Sequence, residues 1–313
     1  MASPDIALKP DSPNSTFMYR ARAFRKRYGP GYLLFLPFGV LFTLFVLVPV
    51  IIAMVMSLTY FNNLQPPRFI GLVNFRGLLL EDDVFLLAIR NTLIFAVITG
   101  PIGYGLSFVA AWTINELKMR NAWALAFYAP SITSSIAMTV VWLWFFSGDR
   151  YGLVNNILIT AGFINEPVLW NLSQKTILPV VMIIQVWMSM GTGFLVFLAG
   201  LQNVPQELYD AGDVDGIKNR FQRMWYITLP FMMPQMLFGA VNSIVRSFAV
   251  FEVSVAVAGL PSPNYAGHTI VAHLFDHAFI RFELGYASAI AVVLFLLTFL
   301  LGRVAMRIFK SRT

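Results

Sequence analysis

The sequence has no cysteine, only three histidines, and a low charge content, with Asp, Glu, Lys and Arg at 12% of its 313 positions. A soluble domain carries roughly 25%. The lack of cysteine excludes disulfides, thiolate metal sites and cysteine nucleophiles. Three histidines leave little room for imidazole chemistry. The scarcity of charge excludes most soluble enzymes, because a soluble fold of this length needs polar side chains to cover its surface. What is abundant is apolar: 58% of residues are hydrophobic. The missing polar surface points to lipid as the solvent. A net charge of +7 raises nucleic acid as a partner, but the basic residues flank apolar stretches instead of forming one stripe. The charge is topology information.

Stretches free of Asp, Glu, Lys and Arg run 28–67, 91–115, 121–148, 176–206, 224–245, 253–275 and 284–302. Most exceed the ~20 apolar residues that a helix needs to cross the hydrocarbon layer. Weighing polar content predicts six spans, at about 32–60, 90–115, 122–146, 176–201, 231–257 and 284–307, hence an all-α integral membrane protein. Pro37 and Pro49 are expected to bend the first span. Pro101 among Gly100, Gly103 and Gly105 predicts a kinked, closely packed second one. The stretch 258–275 is rich in Gly, Pro, Ser, Asn and His and is read as a loop carrying a short re-entrant or interfacial helix. Residues 1–28 lack the apolar core of a cleavable signal peptide. They read as a disordered cytoplasmic tail ending in a basic anchor, Arg25-Lys26-Arg27, ahead of a six-helix membrane domain over 29–313. The outer loops 61–89 and 148–175 are long enough to form small caps, with Tyr60, Tyr151 and Trp170 suited to the membrane interface. The sequons at Asn14 and Asn171 are chance-level matches.

Lys and Arg in short loops resist translocation and so report orientation. With the N-terminus inside, the inner segments hold 15 of the 22 basic residues, the outer segments six, and Arg246 lies within a span. Both termini are therefore expected in the cytoplasm.

One cytoplasmic segment, 203–230, stands apart. Pro205 with Glu207 and Asp210 makes a helix N-terminus, since acids there face the positive end of the dipole. Asp215-Gly216 is a turn pair that reverses the chain between two short helices. The second piece is amphipathic, with Phe221, Met224, Trp225 and Thr228 at three- and four-residue spacing opposite Lys218, Arg220 and Arg223. Pro230 is expected to end it before the fifth span. An amphipathic helix-turn-helix on the inner face is a docking element.

At these residues the chain resembles membrane subunits of binding-protein-dependent ABC importers. Their coupling loop, the EAA motif, reads Glu-Ala-Ala, three residues, Asp-Gly-Ala, then Ile-x-Leu-Pro. Here Asp210-Ala211-Gly212 stands at the first triplet, Asp215-Gly216-Ile217 at the second, and Ile227-Thr228-Leu229-Pro230 at the end. Asp210, Gly212 and Ile217 depart from the pattern. The lead-in Pro205-Gln206-Glu207-Leu208-Tyr209, the pair Phe251-Glu252, and Gly285-Tyr286-Ala287-Ser288-Ala289 are similar to the carbohydrate-importing, maltose-type branch; Gly259-Leu260-Pro261 replaces that branch's Gly-Gly-Pro. The resemblance implies the type I importer permease architecture and a bacterial or archaeal cytoplasmic membrane. It also implies a heterodimeric pore with a second homologous permease, two cytoplasmic ATPase subunits that use ATP and Mg, and an extracytoplasmic solute-binding protein. Glu207, Asp210, Ala211, Gly212, Asp215, Gly216, Ile227, Leu229 and Pro230 become the ATPase-coupling residues. No Gly-x-x-x-x-Gly-Lys-Ser/Thr loop is present to cradle ATP. No cofactor and no enzymatic activity are expected of the chain itself.

A charge at membrane depth costs roughly 2.5–3.5 kcal/mol on insertion scales, so Arg246 and Glu252 are the leading candidates for lining a hydrated path. Asn242 and Arg246 share a helix face, with Ser243 and Ser247 on an adjacent one. On a continuous helix about 240° of rotation separates Arg246 from Glu252. Asn, Arg, Gln185 and Ser189 would supply directed donors to a hydroxyl-rich sugar, while Tyr104, Trp187 and Phe248 could stack on its apolar faces. Alternatively, Arg246 pairs with an acid of the second permease and Asn242 bonds across helices. Ser131, Thr133, Ser134, Ser135 and Thr192 read as interhelical glue. His273 and His277, at i and i+4 beside Asp276, have a spacing that could hold a metal; a solvated outer helix is the preferred reading, with no metal. The resulting expectation is a permease for an oligosaccharide or sugar derivative. The rivals are a permease for a polyamine or phosphate ester, an ion-coupled secondary transporter, and, disfavoured by the lack of a His or carboxylate cluster in the spans, a membrane-embedded enzyme.

Overall fold

The computed structural model describes Tyr28 and residues 31–310. The expected tail and its basic anchor lie, Tyr28 apart, outside the described residues. The chain divides into two compact units, Met1–Val55 and Met56–Thr313. The first is built on helix α1 (Gly31–Met56). Leu34, Phe38, Leu41 and Phe45 are all exposed on it, as on a helix whose whole circumference is apolar. The wider π turn Thr43–Leu47, closed by the Val48 N–H on Thr43 O, precedes Pro49, which has no N–H to offer the carbonyl of Phe45.

In the second unit a two-stranded antiparallel ribbon, β1 (Thr59–Tyr60) and β2 (Arg68–Phe69), leads to α2 (Val73–Leu80) and α3 (Asp83–Asn115). Then come α4 (Arg120–Ile132), α5 (Ser135–Phe145), α6 (Leu153–Thr160) and α7 (Ile177–Gln202). The loop helices α8 (Gln206–Val214) and α9 (Arg220–Arg223) follow, before α10 (Met233–Phe248) and α11 (Glu252–Ala258). Helix α12 (Ile270–Phe275) runs on through a π turn to Ile280, and α13 (Leu284–Lys310) closes the chain.

Five helical segments among the described residues are long and apolar enough to cross a bilayer: α1, α3, α7, the pair α10–α11, and α13. The sixth expected span, 122–146, is two shorter helices, α4 and α5. They part at Thr133–Ser134, where Ser134 adopts extended backbone (φ −53, ψ 129). The local sequence supplies the reason: Ser131 and Thr133 donate their hydroxyls to Tyr128 O and Ala129 O, competing with the helical ladder. Helix α3, by contrast, continues unbroken through Pro101 and starts seven residues earlier than the predicted 90.

The α3–α7 pair makes the most extensive packing in the chain. Two apolar clusters sit at its two ends: Phe95, Ile177, Val181, Ile184 and Val253 in one, and Phe108, Phe194, Phe197, Leu201 and Met232 in the other. Small residues let the helices close up between them, since a Cβ on Gly103 would stand 2.7 Å from Ser189 Oγ.

Both expected caps form. Asn155, fully buried, organises the one over 148–175: its amide donates to the carbonyls of Ser147, Asp149 and Val168 at 3.0 Å. Its oxygen accepts from Val168 N and from Trp170 Nε1. Trp170 is thereby tucked against Phe146 and half-buried, whereas Tyr60 and Tyr151 are exposed. The segment 258–275 does carry a short helix, but its histidines are buried, which overturns the solvated reading. Asn91 donates to the carbonyls of Tyr265 and His268, Thr92 Oγ1 accepts from Ile270 N, and Ser254 donates to Gly267 O, so this hairpin is stitched onto the bundle.

Replacing Asn155 by Leu strips several buried backbone groups of their partner. The expected cost is about 3 kcal/mol, read as a lowered thermal midpoint of the protein in nanodiscs.

Candidate functional site

Between the two apolar clusters lies a polar layer. Thr99, Gly103 and Ser107 on α3, Gln185 and Ser189 on α7, and Asn242, Ser243 and Arg246 on α10 face one cleft of about 40 Å³. A water needs some 10–15 Å³ by this measure, so the cleft has space for two or three waters and is closed to a sugar ring. The layer is central along the helices: the midpoints of Asp83–Asn115, Ile177–Gln202 and Met233–Ala258 fall at Thr99, beside Ser189, and beside Arg246.

Most hydroxyls of this layer are already committed to backbone carbonyls. Ser243 donates to Gly100 O at 3.0 Å, Ser247 to Ser243 O at 2.8 Å, Ser107 to Gly103 O at 2.7 Å, and Ser189 to Val186 O at 2.9 Å. Tyr104 donates to Met236 O and packs edge-on against Phe197. Gln185, Asn242 and Arg246 have no hydrogen-bond partner among the described residues, and Arg246 is exposed on this chain. Of the six sequence-predicted path residues the cleft collects five and leaves out Glu252.

Glu252 is elsewhere because the fifth span is broken. Helix α10 ends at Phe248, Phe251 takes a non-helical conformation (φ −137, ψ −64), and Glu252 opens α11. The rotation argument for a continuous helix therefore does not apply. Each charge stands where a helix end favours it, Arg246 in a last turn beside unpaired carbonyls and Glu252 in a first turn beside unpaired N–H groups. Thr269 Oγ1 covers the opened carbonyl of Val250 at 3.1 Å.

The second candidate site is the 203–230 loop. Helix α8 ends in a Schellman arrangement: Ile217 N–H reaches Gly212 O at 2.8 Å and Gly216 N–H reaches Asp213 O at 3.2 Å, with Gly216 at φ +87. That conformation is why the turn carries glycine. Gly212 is buried, and a Cβ there would stand 2.5 Å from Ile227 Cδ1. Asn219 and Gln222 then form a capping box on α9. Tyr209 Oη and Thr228 Oγ1, 2.9 Å apart, tie the two arms together.

Two details of the loop differ from the sequence expectation. The turn over Met224–Thr228 is π-wound, which spreads the expected single face: Thr228 is buried, while Phe221 and Trp225 are each 62% exposed. The helix also runs past Pro230 and breaks at Met232, before Pro234. The two arginines of the loop have partners within the chain. Arg220 pairs with Glu116 at 2.7 Å and lies 4.1 Å over the Trp112 ring, and Arg223 pairs with Asp213. Glu207, Asp210, Ala211, Asp215 and Gly216 remain exposed beside Val214, which is 88% exposed. An exposed apolar tip ringed by acids has the form of an interface.

Residues 103–313 match the family described as binding-protein-dependent transport system inner membrane component. The chain belongs to this family. It is 32% identical over 94% of its length, and 92% of theirs, to the arabinooligosaccharides transport system permease protein AraP of Bacillus subtilis. It is also 29% identical to the lactose transport system permease protein LacF of Rhizobium radiobacter, covering 90% of this chain and 95% of that one. In fold it is similar to a chain in the crystal structure of a bacterial ABC transporter that imports the acidic polysaccharide alginate, with a TM-score of 0.79 at 23% identity, over 94% of this chain and 99% of that one. The permease is thus a multi-pass membrane transport subunit with the type I architecture, as the coupling-loop residues implied.

Sequence reasoning named Gly103 for close packing but missed Thr99 and Ser107, although their four-residue spacing on either side of it was a usable signal. It also missed Trp112 and Glu116, the seat of Arg220; nothing local to them points across 104 residues. Gly216→Ala is expected to cost about 1 kcal/mol in the left-handed turn. Roughly fivefold faster hydrogen exchange of the Ile217 amide is the readout.

Proposed function

We propose that this permease is one half of the pore of an ATP-driven importer for a carbohydrate, an oligosaccharide or sugar derivative. In this reading a second homologous permease supplies the other half. Two cytoplasmic ABC subunits bind ATP and Mg, and an extracytoplasmic binding protein delivers the solute. The observation that carries the reading is the mid-span triad Gln185, Asn242 and Arg246, whose donors have no partner among the described residues. Arginine facing lipid at that depth is costly, so Arg246 faces the translocation path, where directed N–H donors suit sugar hydroxyls. The carbohydrate class draws support from relatives named for arabinooligosaccharides, lactose and sulfoquinovosyl glycerol.

The coupling loop, over Glu207, Asp210, Ala211, Gly212, Asp215, Gly216, Ile227, Leu229 and Pro230, is the element that seats in the ATPase. It transmits closure through its ties to Trp112 and Glu116 at the end of α3. Lys118, Arg120, Lys218, Arg220, Arg223 and Arg307 all sit at this end of the second unit, which supports a cytoplasmic assignment for it and for both termini.

Asp215→Lys or Gly216→Pro in the assembled transporter is expected to leave insertion and partner ATP hydrolysis in place. Sugar uptake should fall by about tenfold or more, equivalent to ~1.4 kcal/mol of lost coupling; normal uptake by both variants would overturn the coupling role. A second reading, favoured by the exposure of Arg246, pairs it with an acid of the second permease. Arg246→Ala separates the two: reduced uptake with the second permease still co-purifying supports the path, and loss of that subunit supports the pair. Transport by the purified single chain without an ATPase would favour an ion-coupled carrier instead.

A further inference from the structure

The chain has only three histidines, and the fold gathers all of them into one buried group. The His268 and His273 rings lie 5.4 Å apart, and His273 and His277 4.6 Å apart. His273 and His277 lie on successive turns of α12 and are 2% and 5% exposed. Asp82, the N-cap of α3, joins them from 191 residues away, with Oδ2 3.0 Å from His273 Nε2. One nitrogen of each of these two imidazoles and one Asp82 oxygen all lie within 4.8 Å of one another.

The surrounding contacts are those that orient metal ligands. His277 Nδ1 donates to Glu283 Oε2 at 2.7 Å. That bond places a proton on Nδ1, which makes Nε2 the nitrogen left to face a metal, and Nε2 is buried with no hydrogen-bond partner among the described residues. Carboxylate–histidine pairs of this kind set tautomer and ring angle at zinc sites. His268 Nε2 holds His273 Nδ1 at 3.2 Å, and Tyr286 Oη donates to Asp82 Oδ2 at 2.8 Å. Asp82 Oδ1 accepts from Phe85 N–H.

We propose that Asp82, His273 and His277 form a binding site for a divalent transition metal, with zinc the ion whose chemistry fits best. Two imidazole nitrogens and one carboxylate oxygen are a recognised zinc donor set, with the fourth position left to water. The imidazoles select against magnesium and calcium, which take oxygen donors. Tetrahedral zinc places its ligand atoms about 3.3 Å apart, so the widest pair, within 4.8 Å, closes by up to about 1.5 Å through side-chain rotation. The ion rivets the hairpin carrying α12 to the start of α3, and through Glu283 and Tyr286 to the start of α13. All of this lies at the end of the bundle opposite the coupling loop. Asp82, with its side chain 18% exposed, provides the entry side. The site is independent of the solute that the permease carries.

The test titrates zinc into the full-length chain in lipid nanodiscs after dialysis against a chelator, read by competition with a chromophoric zinc indicator. One equivalent per chain is expected, with a raised thermal midpoint in zinc and none in magnesium. His277→Gln is expected to weaken binding at least about tenfold, and Glu283→Gln by about 10–100-fold. Glu283 is half exposed, so its variant folds even where a buried histidine change does not. Equal zinc uptake by wild type and both variants, or no equivalent bound by wild type, would overturn the site.

Discussion

In hydrocarbon a polar group has no water to bond when the protein offers it nothing, and this constraint orders the middle of the bundle. Thr99, Ser107, Ser243 and Ser247 each donate to a carbonyl, three of them one turn back along their own helix and Ser243 across to another. Hydroxyls spent in this way let α3, α7 and α10 approach closely at Gly100, Gly103 and Gly193. They also leave a sharp contrast: within the same layer the donors of Gln185, Asn242 and Arg246 are not spent. Groups that packing does not consume are those available to a solute or to a second subunit.

The broken fifth span follows from the same constraint. Opening a helix between Phe248 and Glu252 exposes N–H and C=O groups that lipid cannot satisfy. The break is tolerated because the 259–280 hairpin folds over it and Thr269 reaches the carbonyl of Val250. The hairpin is in turn held by Asn91, Thr92 and the buried histidines, so the Arg246-bearing half of the span and the far end of the bundle are connected. At the opposite end Arg220, seated on Trp112 and Glu116, joins the coupling loop to the last turn of α3. Helix α3 therefore touches the loop, the polar layer and the hairpin in one rigid element.

The legible parts of this protein were those written in contiguous residues. The fourth span, predicted at 176–201, is observed as Ile177–Gln202, because an uninterrupted apolar run leaves a helix no alternative in lipid. The turn at Asp215-Gly216 and the helix start after Pro205 were equally readable, since turn and helix-start chemistry act over a few residues. The division of 122–146 into α4 and α5 was not, because hydropathy averages over hydroxyls at 131 and 133 that capture carbonyls of their own helix. The anchoring of Trp170 by the buried Asn155 was not legible either, because an interfacial indole with a partner and one without have the same local sequence.

Membership of the membrane, the approximate spans and the helix-turn-helix form of the 203–230 loop were thus determined by the sequence alone, through hydropathy, charge and short-range turn chemistry. The tertiary structure decided which polar side chains are consumed by packing and which are left over, where the fifth span opens, and that Asp82 meets His273. Those outcomes depend on pairings between segments tens to nearly two hundred residues apart. Such pairings are set by how helices fit against one another, and no local pattern encodes them.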